Sequence, residues 1–380
     1  MPSHDVAIVG AGPVGAALAA LLARPGLDVA VFESRPGPAT DDRTLALSHG
    51  SRELLEGAGA WPASSTAITS IHVSQQGGPG RTLLEAADAR LPALGYTVGY
   101  AAVEAALAAR LRELAVPVRY GDAVRSIALD PDNAVLGFAS GHEASARLLV
   151  LADGGANASR IPGVAFREKD YLQSAVVGAV RTDRFHGHRA YERFTPSGPM
   201  ALLPVDDRYG LVWTASPAEA ERLLALAEPA FLALLQERFG DRAGRFTAVA
   251  ARSAFPLRLR AVNTPVALRT AIVGNAAQAM HPIAGQGLNL GLRDAAGLAA
   301  AIGDAPPGAV GDAAMLDAYR RARRRDARRG IAFTDMLVST FADARTIPTW
   351  GRGLALAAFD FLPPARRWLA DRMIHGAPGP

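Results

Sequence analysis

Three glycines, Gly10, Gly12 and Gly15, follow the apolar run VAIV at residues 6–9. This is the G-x-G-x-x-G spacing that lets a backbone pass close to a pyrophosphate. Gly10 permits the tight turn, Gly12 allows the approach to phosphate, and Gly15 lets helix and strand pack closely. Glu33 ends the next apolar run, VAVFE. A carboxylate on the order of 20 residues past the glycines accepts hydrogen bonds from ribose hydroxyls, which selects NAD or FAD over NADP. A second glycine-rich stretch, GNAAQAMHPIAGQGLNLGLRD, occupies residues 274–294. It leaves an apolar strand and enters a segment with helical spacing. Such a turn sets backbone N–H groups and the positive end of a helix beside something anionic or polar. A nicotinamide has no need of a second cradle so far along the chain, whereas FAD, with its ring system remote from its pyrophosphate, does.

The elements that must carry these residues are also legible. VAIV, an alanine-rich helix to about Ala23, and VAVFE form a strand–helix–strand unit. The segment RAYERFTPSGPMALLPVDDRYGLVWTA alternates apolar and polar residues between Gly and Pro turns, the pattern of antiparallel strands. YLQSAVVGAV and AFPLRLR extend that sheet, which is expected to roof the cofactor, with Tyr171, Tyr191, Met200, Leu202 and Phe255 as candidates to line a substrate cavity. The chain has 380 residues, 49% of them hydrophobic, and a net charge of +4. That suffices for a sizeable core, and the basic excess is too small to argue for nucleic acid. With no cysteine, thiolate metal sites, disulfides and cysteine nucleophiles are excluded; no metal is expected. No apolar run reaches spanning length and no signal peptide is read, so a cytoplasmic protein, at most peripheral at the inner face of a membrane, is expected.

Taken together, these stretches resemble the flavin-dependent aromatic hydroxylases, the class A monooxygenases. The resemblance is carried by VAIVGAGPVGAALA, RTLALSHGS (43–51), LLVLADGGANASR (148–160), YERFTPSGPMALLPV (191–205), AFPLRLR (254–260), the stretch at 274–294 and GLALAAFDFLPPARRWL (353–369). It is closest to the ubiquinone-biosynthesis hydroxylases, in particular the branch that acts on octaprenyl-methoxyphenol. It implies noncovalent FAD, a transient NADH or NADPH, O2, and a polyprenylated phenol as substrate. The implied fold is α/β: a Rossmann-like FAD-binding domain (1–70, 98–165 and 265–305), a smaller mixed β-sheet substrate domain (71–97 and 166–264) and a C-terminal helical region (306–380).

The same resemblance assigns FAD contacts to Arg43 at the pyrophosphate, to Asp153 and Gly154 near it, to Asn275 at a ribityl or ribose hydroxyl, and to Gly285, Gly287, Leu288 and Asn289 at the flavin ring. Several positions depart from the family. Asn275 replaces the usual Asp and loses the charge-assisted part of its contact. Asn157 replaces a serine beside Asp153, Arg160 keeps the usual arginine, and Tyr100 and Ala101 stand where a polar pair is common. Asp294 is expected to cap its helix or pair with Arg293. No proton-transfer residue is fixed; His281, Pro282 and Tyr191 are weak candidates. The arginine-rich YRRARRRDARRG reads as a solvated helical face. The tail, with Phe359, Phe361, Trp368, Arg352, Arg366, Arg367 and Arg372, could meet a membrane surface or a partner protein of a quinone-synthesis assembly. Two other readings stay open: a tailoring hydroxylase for a soluble aromatic compound, and a non-catalytic flavoprotein subunit.

Overall fold

The structure of the chain, a computed structural model, describes residues 3–41, 43–77, 81–280 and 286–324. His281, Pro282, Gly285 and the tail aromatics and arginines lie outside the described residues. The helices are α1 (Pro13–Leu22), α2 (His49–Gly57), α3 (Tyr100–Glu113), α4 (Pro217–Ala225), α5 (Glu228–Phe239), α6 (Gln286–Asp304) and α7 (residues 313–324).

The N-terminal glycine motif sits at the middle of a parallel sheet. Its strands run in the order Thr270–Ile272, Glu143–Leu151, Ser3–Val9, Val29–Glu33, Val118–Tyr120, each parallel to its neighbour. Side chains alternate across it, as strand geometry requires. Val6 and Ile8 enter the core with α1, α3 and α6, while Ala7 and Val9 join Leu136 and Phe138 of an antiparallel hairpin on the other face. The strand Val29–Glu33 is buried throughout, the pattern of a sheet covered on both faces. α1 packs between α3 and α6.

A second, larger sheet is almost wholly antiparallel. Its order is Gln278–Ala279, Phe246–Val262, Phe166–Thr182, Arg208–Ala215, Gly198–Val205, Arg189–Thr195, Ser70–Gln75, Arg81–Glu85, with only Arg189–Thr195 and Ser70–Gln75 parallel. α4 and α5 cover one face, burying Val176, Tyr191, Met200, Leu202, Trp213 and Phe231 in one cluster. A small third sheet (Thr44–Ser48, Gly95–Gly99, Thr66–Ile68) lies between the two. Residues 95–97 pair with Thr44–Ser48 and Thr66–Ile68 in this third sheet.

α7 presents the expected solvated face at Arg320, Arg321 and Arg324 and adds a buried one. Met315, Leu316 and Tyr319 pack into the same core as α1 and α6, and Arg323, four residues after Tyr319, is 8% exposed. The arginine-rich helix is therefore not solvated on all sides. Its inner stripe runs through Met315, Tyr319 and Arg323 at helical spacing, and the outward Arg320 pairs with Asp317 at 2.8 Å.

One titratable group couples the second sheet to pH. His72 faces Tyr191 across the sheet, ring centroids 5.6 Å apart. Burial, with the nearby Arg242, Arg189 and Arg81 cations, holds its pKa down to about 4. Because the folded value lies below the unfolded one, stability from keeping His72 neutral is present above about pH 6.5 and is lost as pH falls toward about 4. Replacing His72→Gln should therefore flatten the fall in unfolding free energy between about pH 7 and about pH 4.5, by up to roughly 2–3 kcal/mol. Denaturant titrations of both proteins at the two pH values check this; an identical fall in the two refutes it.

Candidate cofactor site

Three turns converge at the carboxyl ends of three adjacent parallel strands, where open α/β sheets bind their ligands. The first is the Gly10–Gly15 loop. Gly10 has φ +106°, and a Cβ there would stand 2.6 Å from the Ala152 carbonyl oxygen. A Cβ on Gly15 would stand 2.0 Å from the Gly10 carbonyl oxygen. Both glycines are thus demanded by the protein's own backbone. Gly12 is different: the nearest atoms to a Cβ there are Tyr100 Oη at 3.9 Å and Glu104 Oε1 at 4.0 Å. The fold leaves the space in front of Gly12 open, at the N-terminus of α1, which suits a pyrophosphate.

Glu33 lies beside this loop, 7% exposed. Its Oε2 accepts from the Ala11 N–H at 2.8 Å and from Arg35 Nη2 at 3.2 Å; its Oε1 accepts from the Arg35 N–H at 3.0 Å and Ser34 Oγ at 3.3 Å. Burial raises the Glu33 pKa, but Arg35 and the Ala11 amide outweigh it and hold the carboxyl below its ordinary range. Arg35 also donates to both oxygens of Glu104, at 3.2 and 3.1 Å, and Glu104 accepts from the Ala39 N–H at 2.5 Å. Burial and a hydrogen bond to Glu104 push the Tyr100 hydroxyl up to about 12. Arg43 stacks on the Tyr100 ring at 4.4 Å and is gripped by Asp41 at 2.8 and 2.9 Å. So Arg43 stands at the rim of the open space, its orientation fixed by Asp41 and Tyr100.

Sequence reasoning missed the Glu33–Arg35–Glu104 cluster. A signal was present: Arg35 follows the strand-ending Glu33 by two residues, and Glu104 sits one helical turn after Tyr100, on the face that α1 covers.

The second turn begins at Asp153. Its carboxylate accepts from the Gly155 N–H at 2.9 Å, the Asn157 N–H at 2.9 Å and Asn157 Nδ2 at 2.7 Å. Asn157, in place of the usual serine, thus bonds Asp153 through its amide. Gly154 has φ +72° with nothing against it, and Arg160 Nη1 holds the hairpin carbonyls of Val124 and Arg125 at 3.1 and 2.9 Å.

The third turn begins at Gly274, φ +61°, whose Cβ would meet Val14 of α1 at 3.0 Å; a Cβ on Gly291 would meet Val14 at 2.7 Å. These glycines bring α6 tightly onto α1. Asn275 is exposed, and its Oδ1 lies 3.9 Å from where a Cβ on Gly287 would be. Leu288 packs against the α1 core. The Asn289 side chain is committed within the protein. Its Oδ1 accepts from the Ser48 N–H at 2.8 Å and its Nδ2 donates to the Ala46 carbonyl at 3.1 Å. The side chain fastens α6 to the strand Thr44–Ser48, leaving only backbone at that position for a cofactor. Asp294 corrects an expectation: its partner is Arg323, at 2.9 and 2.6 Å, together with the Gly274 N–H at 3.1 Å and Gln278 Nε2 at 2.5 Å. Burial raises its pKa against the downward pull of these donors.

Tyr191 is not placed for chemistry. Its hydroxyl donates to the Arg242 carbonyl at 3.1 Å and its ring packs 5.7 Å from Phe239, under the α4–α5 layer. Met200 and Leu202 lie in the same cluster. Alternation along each strand sends these residues to the helix side, so Phe255, paired with Ala175, is the cavity candidate left on the opposite face. Tyr171 lies under Lys169 Nζ at 5.0 Å.

The open space at Gly12, the acid at Glu33 and the two further turns fit FAD. The FAD binding domain family matches residues 3–334, and the chain belongs to it. The fold is that of p-nitrophenol 4-monooxygenase PnpA from Pseudomonas putida, with a TM-score of 0.77 at 21% identity over the whole of both chains. The chain is 36% identical to the ubiquinone hydroxylase UbiL of Rhodospirillum rubrum, over 96% of this chain and 87% of that one. It is 34% identical to the 3-demethoxyubiquinol 3-hydroxylase of Escherichia coli, over 76% and 77% respectively. It is an FAD-dependent monooxygenase of the aromatic hydroxylase type.

The geometry separates two kinds of glycine. Gly12→Ala should leave the melting temperature of the flavin-free protein unchanged and weaken FAD by tenfold or more, about 1.4 kcal/mol, because the methyl group meets only the ligand. Gly10→Ala should instead lower the melting temperature of the flavin-free protein, through a backbone clash and strain at positive φ. Equal effects of the two on folding would refute the placement.

Proposed function

We propose that the enzyme hydroxylates the ring of a polyprenylated phenol in ubiquinone biosynthesis, using NADH or NADPH and O2. The observation that carries this reading is 36% identity to a ubiquinone hydroxylase across nearly the whole chain, joined to the three turns at Gly10, Asp153 and Gly274. Bound FAD would supply the redox chemistry, hydride acceptance from the nicotinamide and transfer of one oxygen atom of O2 to the ring.

The protein's share is binding, orientation and electrostatics. Gly12 and the α1 N-terminus receive the pyrophosphate, with Arg43 at the rim. Glu33 holds the ribose, and Asn275 offers an amide to a hydroxyl. The N-terminus of α6 directs its positive end at the flavin, where negative charge grows on reduction, and so favours the reduced form. We assign the backbone N–H groups of Gly287, Leu288 and Asn289 to the flavin ring, and Gly285 with them by the resemblance alone. His281 and Pro282 stay as candidates beside the ring. The apolar face of the large sheet keeps water from the ring until oxygen transfer is complete.

A polyprenyl phenol dissolves in lipid, and among the described residues no helix is long and apolar enough to cross a membrane. The enzyme therefore meets its substrate at the membrane surface or receives it from a partner protein; the tail after Gly351, with Phe359, Phe361 and Trp368 among its arginines, is the segment we assign to that contact.

The test is an assay of the purified enzyme with NADH or NADPH against a panel of prenylated and unprenylated phenols. Reductant-dependent O2 uptake with a product one oxygen heavier, faster on prenylated members, is expected, and denaturation should release free FAD. Turnover of soluble phenols alone would point to a tailoring hydroxylase. Bound FAD with no turnover of any phenol would point to a non-catalytic subunit.

A further inference from the structure

We propose that Glu192 binds the phenolic hydroxyl of the substrate ring and takes its proton, a role that rests on the reading of the site as a phenol hydroxylase.

The placement follows from strand register. Glu192 pairs with Val73 on one side and Ala201 on the other; Ala201 pairs with Val212, and Val212 with Val177. This row crosses the large sheet on the face opposite α4 and α5, because the intervening residues Tyr191, Met200, Trp213 and Val176 fill the helix-side core. Glu192 is thus a single carboxyl in an apolar row. The next row on the same face holds Gln75, Phe194, Thr214, Ala175 and Phe255. There the buried Gln75 Oε1 and Thr214 Oγ1 have no hydrogen-bond partner, an arrangement that awaits polar groups from a ligand. The face looks toward the cofactor side. Gly210, two residues before Val212, would bring a Cβ to 3.5 Å from Thr44, and Thr44 begins the strand that Asn289 ties to α6.

Glu192 makes no hydrogen bond or ion pair among the described residues. It keeps partial solvent access while densely surrounded, which is how a residue lining a cavity stands. Burial alone pushes its carboxyl up to about 8. The facing residues of the neighbouring strands, Val73, Ala201, Val212 and Val177, carry no charge, nor do Gln75 and Thr214. Asp88 and Arg90, on the turn that covers the edge near Ile71, contribute nothing to the shift.

The chemistry suits the substrate class. A phenol has a pKa of about 10, and an ordinary carboxylate, at about 4.3, is too weak a base to take its proton. A carboxyl near 8 narrows that gap to roughly 2 units. The phenolic O–H bond breaks, an O–H bond forms on the carboxylate, and the electron pair stays on the ring oxygen. The ring becomes electron-rich at its ortho and para carbons, the positions open to oxygen transfer. No oxidant is consumed in this step.

The test uses the full chain loaded with FAD and two probes, 2-methoxyphenol and its methyl ether 1,2-dimethoxybenzene, titrated by flavin absorbance from about pH 6.5 to about pH 9. The parent should favour the phenol by about tenfold or more, the worth of one hydrogen bond to a charged group. That preference should grow as pH rises through about 8. Glu192→Gln, with FAD content and melting temperature matching the parent, should lose both the preference and its pH dependence. Should the Gln variant shed FAD, Glu192→Asp keeps the charge but withdraws it, and should weaken the preference without abolishing its pH dependence. A preference absent or flat in the parent, or retained in Glu192→Gln, overturns the proposal. Phenol preference without oxygenation of any phenol would leave Glu192 standing and overturn the hydroxylase reading instead.

Discussion

The carboxylate of Asp294 holds the two sheets and the second glycine turn in one arrangement. Four donors from three segments converge on it: the Gly274 N–H, the Gln278 amide and the Arg323 guanidinium in a two-pronged pair. Gly274 begins the turn after the parallel-sheet strand Thr270–Ile272, Gln278 pairs into the large antiparallel sheet, and Arg323 brings in α7. Asp294 itself lies on α6, whose N-terminus faces the proposed flavin position. A charge 3% exposed is tolerated only when so fully satisfied. Gly297 makes the room, since a Cβ there would stand 2.9 Å from Arg323 Cδ.

From that anchor the rest of the site is set by close approach. Val14 of α1 sits against both Gly274 and Gly291, so the pyrophosphate loop and the second glycine turn cannot drift apart without opening a packed contact. Asn289 then ties α6 to the strand Thr44–Ser48, which lies beside the open face of the large sheet. On the proposed placement, the spacing of pyrophosphate end, ring end and substrate wall is fixed by side chains outside the site. This is what oxygen transfer to a particular ring carbon requires, since small displacements of reacting atoms cost large factors in rate.

The sequence revealed the parts that repeat a local rule. Gly10, Gly12, Gly15 and Glu33 could be read because a phosphate-binding turn has few solutions, and the strand–turn patterning of residues 166–264 announced an antiparallel sheet. What stayed hidden depends on contacts between distant segments. Arg35 and Glu104 meet only because α3 packs beside α1. Arg323 was lost in a run of arginines, although Met315, Leu316 and Tyr319 define the buried stripe it continues. Tyr191 was misjudged and Glu192 passed over for one reason: adjacent residues of a strand face opposite ways, and only the placement of α4 and α5 shows which face is covered. The tie made by the Asn289 side chain stayed hidden as a distant contact, since its amide bonds the backbone of a strand 241 to 243 residues earlier in the chain.

The most direct test of the anchoring role is Arg323→Met, which keeps the packing volume and strands the Asp294 carboxylate. Unfolding free energy and FAD affinity would be measured on the same preparations. The account predicts a loss of about 3–5 kcal/mol in stability, the cost of leaving a buried charge without its partner, and weaker FAD, although Arg323 touches no part of the proposed site. A variant that unfolds at the parent's denaturant concentration and binds FAD equally well would contradict it.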